Sequence, residues 1–267
     1  MNAPTQIPPN PDYGKGCFRR RIRIDLVDAR HAVTGFEDDF HAFALTLTHD
    51  GASIRDITAR SIRYPAALCP EAQGRLTSLV GRPLTADRGI FLGYDNARQH
   101  CTHLHDMLWL TLAQVLRGTP SRQFDITVPD DREGQTIAEI IVDGAPLLQW
   151  TISGGKVLAP EALAGATLRG GFNERLRAYY SGDTLEAAVV LQMGCLVSGG
   201  RRVLLESFET LVLEPNDRRI GRCFRFQQEN VERRPLSTHQ VRDFSATPER
   251  LLEWHRHETP LADEIAR

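Results

Sequence analysis

Residues 99–106 read QHCTHLHD, placing His100, Cys101, His103 and His105 together in a chain with nine histidines and five cysteines. Thiolate and imidazole are the usual ligands of zinc and of single iron ions, and imidazole also exchanges protons near neutral pH. A second cysteine, Cys69, stands directly before Pro70, a residue favoured at the first position of a helix. Both thiols therefore fall at expected helix starts, where the helix dipole lowers a thiol's pKa. If the two sulfurs meet, a nearby imidazole would help to complete a tetrahedral shell around a divalent ion. The imidazole depends on where the second helix begins. With Cys101 inside it, His105 shares its face at i+4; with Cys101 before the first turn, His103 is better placed, and His100 could serve only from the loop. A further ligand could come from EDDFH, which offers Glu37, Asp38, Asp39 and His41. The plainer alternative is that the cysteines are small buried apolar residues, Thr102 an N-cap and Asp106 a first-turn charge.

The elements that must position these groups can be read from periodicity. RRRIRIDLV, from Arg19, alternates with period two, GFEDDF interrupts it, and HAFALTLTHDGASIRDITARSI gives two strands joined at His49-Asp50-Gly51. This predicts a three-stranded antiparallel opening. A helix follows from Pro70 to about Gly81, with Cys69 as its N-cap, and a longer one runs from Cys101 or Thr102 to Gly118. The apolar residues of the longer helix wrap most of its circumference, which marks it as central. QFDITVP and TIAEIIVDGAPLLQWTIS are strand-like, a helix is expected from Thr184 to about Met193, GGRRVLLESFETLVLEP is expected to be extended, and Thr247-Pro248 opens a short helix.

The bulk composition excludes some classes of function. Net charge is −2 over 267 residues, so nothing draws the chain to nucleic acid, and the arginines of FRRRIRI and NDRRIGRCFRF suit a solvated strand face. No apolar run approaches the roughly 18 residues of a membrane span. Five widely spaced cysteines without a CxxC pair argue for free thiols or metal ligands, and the polar, proline-rich start carries no secretion pattern, so a cytoplasmic location is expected. GxSxG, GxGxxG, P-loop and HExxH motifs are absent.

The series FRRRIRI, DDFHAFALTLTHDG, IRYPAALCPEA, LTSLVGRPL and QHCTHLHDML resembles a bacterial domain family of unknown function with a Cys-Thr-His-Leu signature. Its pattern corresponds here to His41, Cys69-Pro70 and Cys101-Thr102-His103-Leu104. It covers residues 18 to 115 well and the rest loosely. More distantly, Cys69 and His100-Cys101 are similar to two positions of the NifU/IscU-type iron–sulfur scaffolds, where three cysteines, an aspartate and a histidine cluster at one end of a small α+β domain. The first scaffold cysteine has no counterpart; GFEDD stands there, with Asp38 or Asp39 near the acidic position.

Together these readings set the expectations. The fold class is α+β: a NifU/IscU-like unit over residues 18–120, with a three-stranded antiparallel sheet and helices, after a lead-in of residues 1–17, and a second strand-rich α+β unit over residues 121–267. The expected function is a metal-dependent lyase or hydrolase acting on a small apolar or aromatic molecule in bacterial catabolism. Its site is one divalent metal, zinc or iron, on Cys69, Cys101, His103 and His41 or an acid of EDD. His105 and Asp106 are expected as general base or acid, and Trp150, Phe172, Tyr179 and Tyr180 as cleft walls. The alternatives are a non-enzymatic metal or iron–sulfur carrier, and a reactive-cysteine enzyme using Cys101. The expected partner is a small-molecule substrate, with no nucleic acid or membrane; a homo-oligomer is compatible.

Overall fold

The structure is a computed structural model that describes residues 8–205, 217, 219–230 and 241–257. Strands β1 (Cys17–Leu26), β2 (His31–Asp38), β3 (Ala42–His49) and β4 (Ile54–Arg63) form an antiparallel meander, as do β5 (Ser121–Pro129), β6 (Gln135–Val142), β7 (Ala145–Ser153) and β8 (Lys156–Ala159). The meanders join where β1 pairs antiparallel with β5, Cys17 opposite Pro129 and Asp25 opposite Ser121. One eight-stranded sheet results, in the order β4-β3-β2-β1-β5-β6-β7-β8.

This corrects the expected fold of a three-stranded NifU/IscU-like unit followed by a second unit. The opening has four strands, because the acids of GFEDDF end β2 instead of interrupting a strand. The sheet also runs through the proposed boundary at residue 120. Period-two alternation reports which face of a strand is buried and says nothing about its edges. A β1 paired only with β2 would leave a row of backbone donors and acceptors unmet, and β5 satisfies them.

Each meander is followed by a long helix. A 3-10 run, Cys69–Leu79, and short α1 (Arg88–Leu92) lead to α2 (Thr102–Arg117), which lies over β1, β2 and β3. The second half continues through α3 (Phe172–Tyr179), unanticipated in the sequence, to α4 (Gly182–Ser198), which lies over β5, β6, β7 and β1. The two halves thus repeat the same strand-and-helix order about the β1/β5 seam. α2 begins as expected with Cys101 at its N-cap and ends at Gly118, whose φ of 74° needs no Cβ clearance. α4 is longer than expected and approaches the sheet closely at Gly194, where an added Cβ would stand 2.8 Å from Ile126 Cγ2.

Phe18, Ile22 and Ile24 of β1, Phe124 and Ile126 of β5, and Leu104, Leu108 and Trp109 of α2 form one core with α4. Burying such a side chain stabilises by roughly 1.5–3 kcal/mol. The C-terminal segment, a 3-10 turn at Pro248–Arg250 and α5 (Glu253–His257), lies on the opposite face of β2, where the His255 ring stands against Gly35. Most of the expected extended run after α4 lies outside the described residues; its start, Gly199–Arg202, is a 3-10 turn. Among the described residues no helix is long and apolar enough to cross a membrane.

Candidate functional site

The site is built on the β2–β3 turn. Asp38 closes β2, and its Oδ1 accepts the backbone N–H groups of Phe40 and His41, both at 2.8 Å, and faces His41 Nδ1 at 3.0 Å. Its Oδ2 accepts two hydrogen bonds from Arg20, at 3.1 and 2.7 Å. Arg20 sits in phase with Phe18, Ile22 and Ile24 on the buried face of β1, only 2% exposed, with its guanidinium 4.7 Å from the Phe36 ring centre. From β4, Arg63 donates to the carbonyls of Asp38, Asp39 and His41 and to Glu37 Oε1, so the turn is held from within.

The three acids that sequence offered as alternatives therefore have separate roles. Glu37 is taken by Arg63, by the Leu252 N–H at 2.8 Å and by the Trp254 indole at 3.0 Å. Asp39 is taken by Arg201 at 2.9 Å. Asp38 alone reaches the histidines. Burial by itself would raise its pKa, but His41, Arg20 and His103 outweigh that and hold the carboxyl well below the usual range. It is therefore an acceptor at neutral pH, which makes His41 Nδ1 the protonated nitrogen and leaves the lone pair on Nε2. Among the described residues no hydrogen bond engages that Nε2.

His103, in the first turn of α2, lies over His41 with ring centres 4.2 Å apart, and its Nε2 faces an Arg20 N–H at 3.5 Å. Burial, with His41 and Arg20 nearby, pushes its pKa well below the ordinary value, so it stays neutral. Among the described residues Asp38, His41 and His103 form a group whose ligating atoms all lie within 4.8 Å of one another.

His41 and His103 line a cavity of about 630 Å³, within the range of small-molecule sites. Cys69, Cys101, Cys223 and Arg225 line it as well. Cys223 arrives because its segment docks on the start of α2: the Phe224 N–H donates to the His100 carbonyl at 2.9 Å, and Phe224 packs with Leu68, Ala72 and Cys101. Neither helix start lowers its thiol. Burial pushes Cys69 up to about 11 and raises Cys101 further, with Cys69 and Cys223 adding to it. Cys223 is raised by burial too. The Cys69 helix is a 3-10 run with Leu68 at its N-cap, and Cys101 makes no capping hydrogen bond. The dipole at either start is outweighed by loss of water.

Of the expected metal ligands Cys69, Cys101, His103 and His41, all four reach one cavity, while the close-set group pairs the histidines with Asp38. The expected acid–base residues lie away from it. His105 is buried against Phe91, ring centres 4.5 Å apart, and burial lowers its pKa to about 4. Asp106 is bound to Arg88 at 2.6 Å. Trp150 and Phe172 pack edge to face in the core, Tyr179 is exposed, and none of them or Tyr180 lines the cavity. Sequence reasoning put the arginines of FRRRIRI and NDRRIGRCFRF on a solvated strand face and so missed Arg20, an arginine in phase with an apolar strand face, and Arg225, both of which are buried; Cys223 carries no local signal. Compared with known protein families and curated proteins, the chain matches none.

Proposed function

We propose that this protein is an enzyme of lyase or hydrolase type that moves a proton to or from a small, largely apolar molecule held in the cavity. His41 is the general base and acid, and Asp38 orients it. The observation that carries this reading is the 3.0 Å contact between Asp38 and His41 Nδ1 at the cavity wall. A buried carboxylate that fixes the tautomer leaves Nε2 as the proton-accepting atom and stabilises the imidazolium that forms on protonation. His103 beside it stays neutral, because burial disfavours its charge and a cation on His41, 4.2 Å away, would repel it. Positioned proton transfer of this kind contributes about 10²–10⁴-fold in rate. Lined by Phe40, Phe43, Leu168 and Leu196, the cavity suits an apolar substrate body.

The test is a screen of small apolar acids, hydroxy acids and esters by NMR in deuterated water. Turnover or deuterium uptake by the wild type, lost about 100-fold or more in His41→Gln, is the expected result. A substrate turned over equally by His41→Gln refutes the assignment.

A second reading is a single zinc or iron on Asp38, His41 and His103, favoured by ligating atoms that all lie within 4.8 Å of one another. The residues fit this group poorly. Both Asp38 oxygens are engaged, and the Arg20 guanidinium already supplies a positive charge 2.7 Å from the carboxylate. A bound divalent ion would polarise a carbonyl or acidify a water. Stoichiometric metal in protein purified without an affinity tag would favour this reading. The reactive-cysteine alternative gains no support, since burial keeps the cavity thiols protonated.

A further inference from the structure

Arg225 contributes to none of the chemistry assigned to His41, yet it is only 7% exposed and lines the same cavity. Its Nε and Nη2 are buried and have no hydrogen-bond partner among the described residues. These two nitrogens form one edge of the guanidinium, with parallel N–H bonds spaced to meet the two oxygens of a carboxylate. The plane of the group is steadied by the Phe226 ring, 4.8 Å from the guanidinium carbon.

A buried cation without a counter-ion is costly. Among the described residues, the groups facing Arg225 do not compensate it. Cys69 and Cys223 stand nearest in charge terms, but burial keeps both thiols protonated. Three further arginines line the cavity and none is free: Arg219 is engaged with Asp217 at 2.8 Å, and Arg169 and Arg222 have partners of their own. Among the described residues, the Nε–Nη2 edge of Arg225 is therefore a buried donor pair without an acceptor.

We propose that Arg225 is the anchor for the carboxylate of an apolar organic acid, which enters the cavity with its hydrocarbon body against Phe40, Phe43 and Leu196. This deepens the reading of the cavity as a substrate site by naming the substrate class, and it rests on that reading only for the catalytic role of the bound acid. A monocarboxylate suits one guanidinium edge and an apolar wall. A phosphate would call on several free cations.

The test is isothermal titration of metal-stripped full-length protein with octanoate at pH 7, against octanamide and inorganic phosphate. Octanoate binds, octanamide binds about 30-fold or more weakly, and Arg225→Gln loses octanoate affinity by a similar factor, the usual effect of truncating a buried charged pair. Arg225→Lys, which keeps the charge and removes the fork, gives an intermediate affinity. The titration reads binding alone and the deuterium exchange reads proton transfer, so failure of the His41 assignment and failure of the anchor are separately visible. Equal binding of octanoate and octanamide, unchanged affinity in both Arg225 variants, preference for phosphate, or no binding of octanoate each overturns the proposal. Comparing charged with neutral ligand on the wild type needs no variant to fold.

Discussion

Replacing Asp38 by asparagine tests the arrangement most directly, because it removes one charge and little volume. Asp38 is fully buried, Arg20 is 2% exposed, and the two meet at 2.7 and 3.1 Å. The amide oxygen of asparagine can still accept the Phe40 and His41 N–H groups, so the turn itself is preserved. What is lost is the partner of Arg20, now a buried cation facing an amide that must point N–H toward N–H. Breaking a buried pair in this way costs about 3–5 kcal/mol. Removing both charges, with Arg20→Met in the Asp38→Asn background, should recover most of that loss, because no charge is left stranded. The cycle is measured by urea unfolding of the four proteins, followed by circular dichroism and extrapolated to zero denaturant. Asp38 also has a depressed pKa in the folded state. Its contribution is therefore present above the ordinary carboxylate range and fades as pH falls below it, so the gap between wild type and Asp38→Asn should narrow in acid. A loss under 1 kcal/mol for Asp38→Asn, or strict additivity of the two substitutions, would show that Arg20 and Asp38 do not depend on each other.

Two further outcomes follow from the buried imidazoles and thiols. Burial holds His105 at about 4 in the folded protein against 6.5 for the free side chain, so its stabilising effect is complete above 6.5 and is lost as pH falls toward 4. By linkage this amounts to about 2 kcal/mol at pH 5. His105→Leu should flatten the stability profile by that amount between pH 7 and 5, and an unchanged slope would place the titration elsewhere. Cys69, held at about 11 instead of 9, should react with iodoacetamide at neutral pH roughly 100-fold more slowly than an exposed thiol, in proportion to its thiolate fraction. Mass spectrometry of a timed reaction reads this, and rapid labelling would contradict the raised pKa.

The sequence alone determined the local elements whose signals are short-range. Alternation marked the buried face of β1, the Asp50-Gly51 turn marked the β3–β4 hairpin, and Cys101 with Gly118 bounded α2 within a residue. It also identified Cys69, Cys101, His41 and His103 as residues worth bringing together, and all four line one cavity. The eight-stranded sheet, the choice of Asp38 over Glu37 and Asp39, and the arrival of Cys223 and Arg225 were decided by the tertiary structure. Strand pairing is made by backbone groups that every sequence carries, so β1 could not announce its second neighbour. Three adjacent carboxylates look alike until arginines from β1, β4 and the 3-10 turn after α4 divide them. A thiol's pKa, finally, depends on how much water its surroundings exclude, and at Cys69 and Cys101 that exclusion outweighed the helix dipole their positions had suggested.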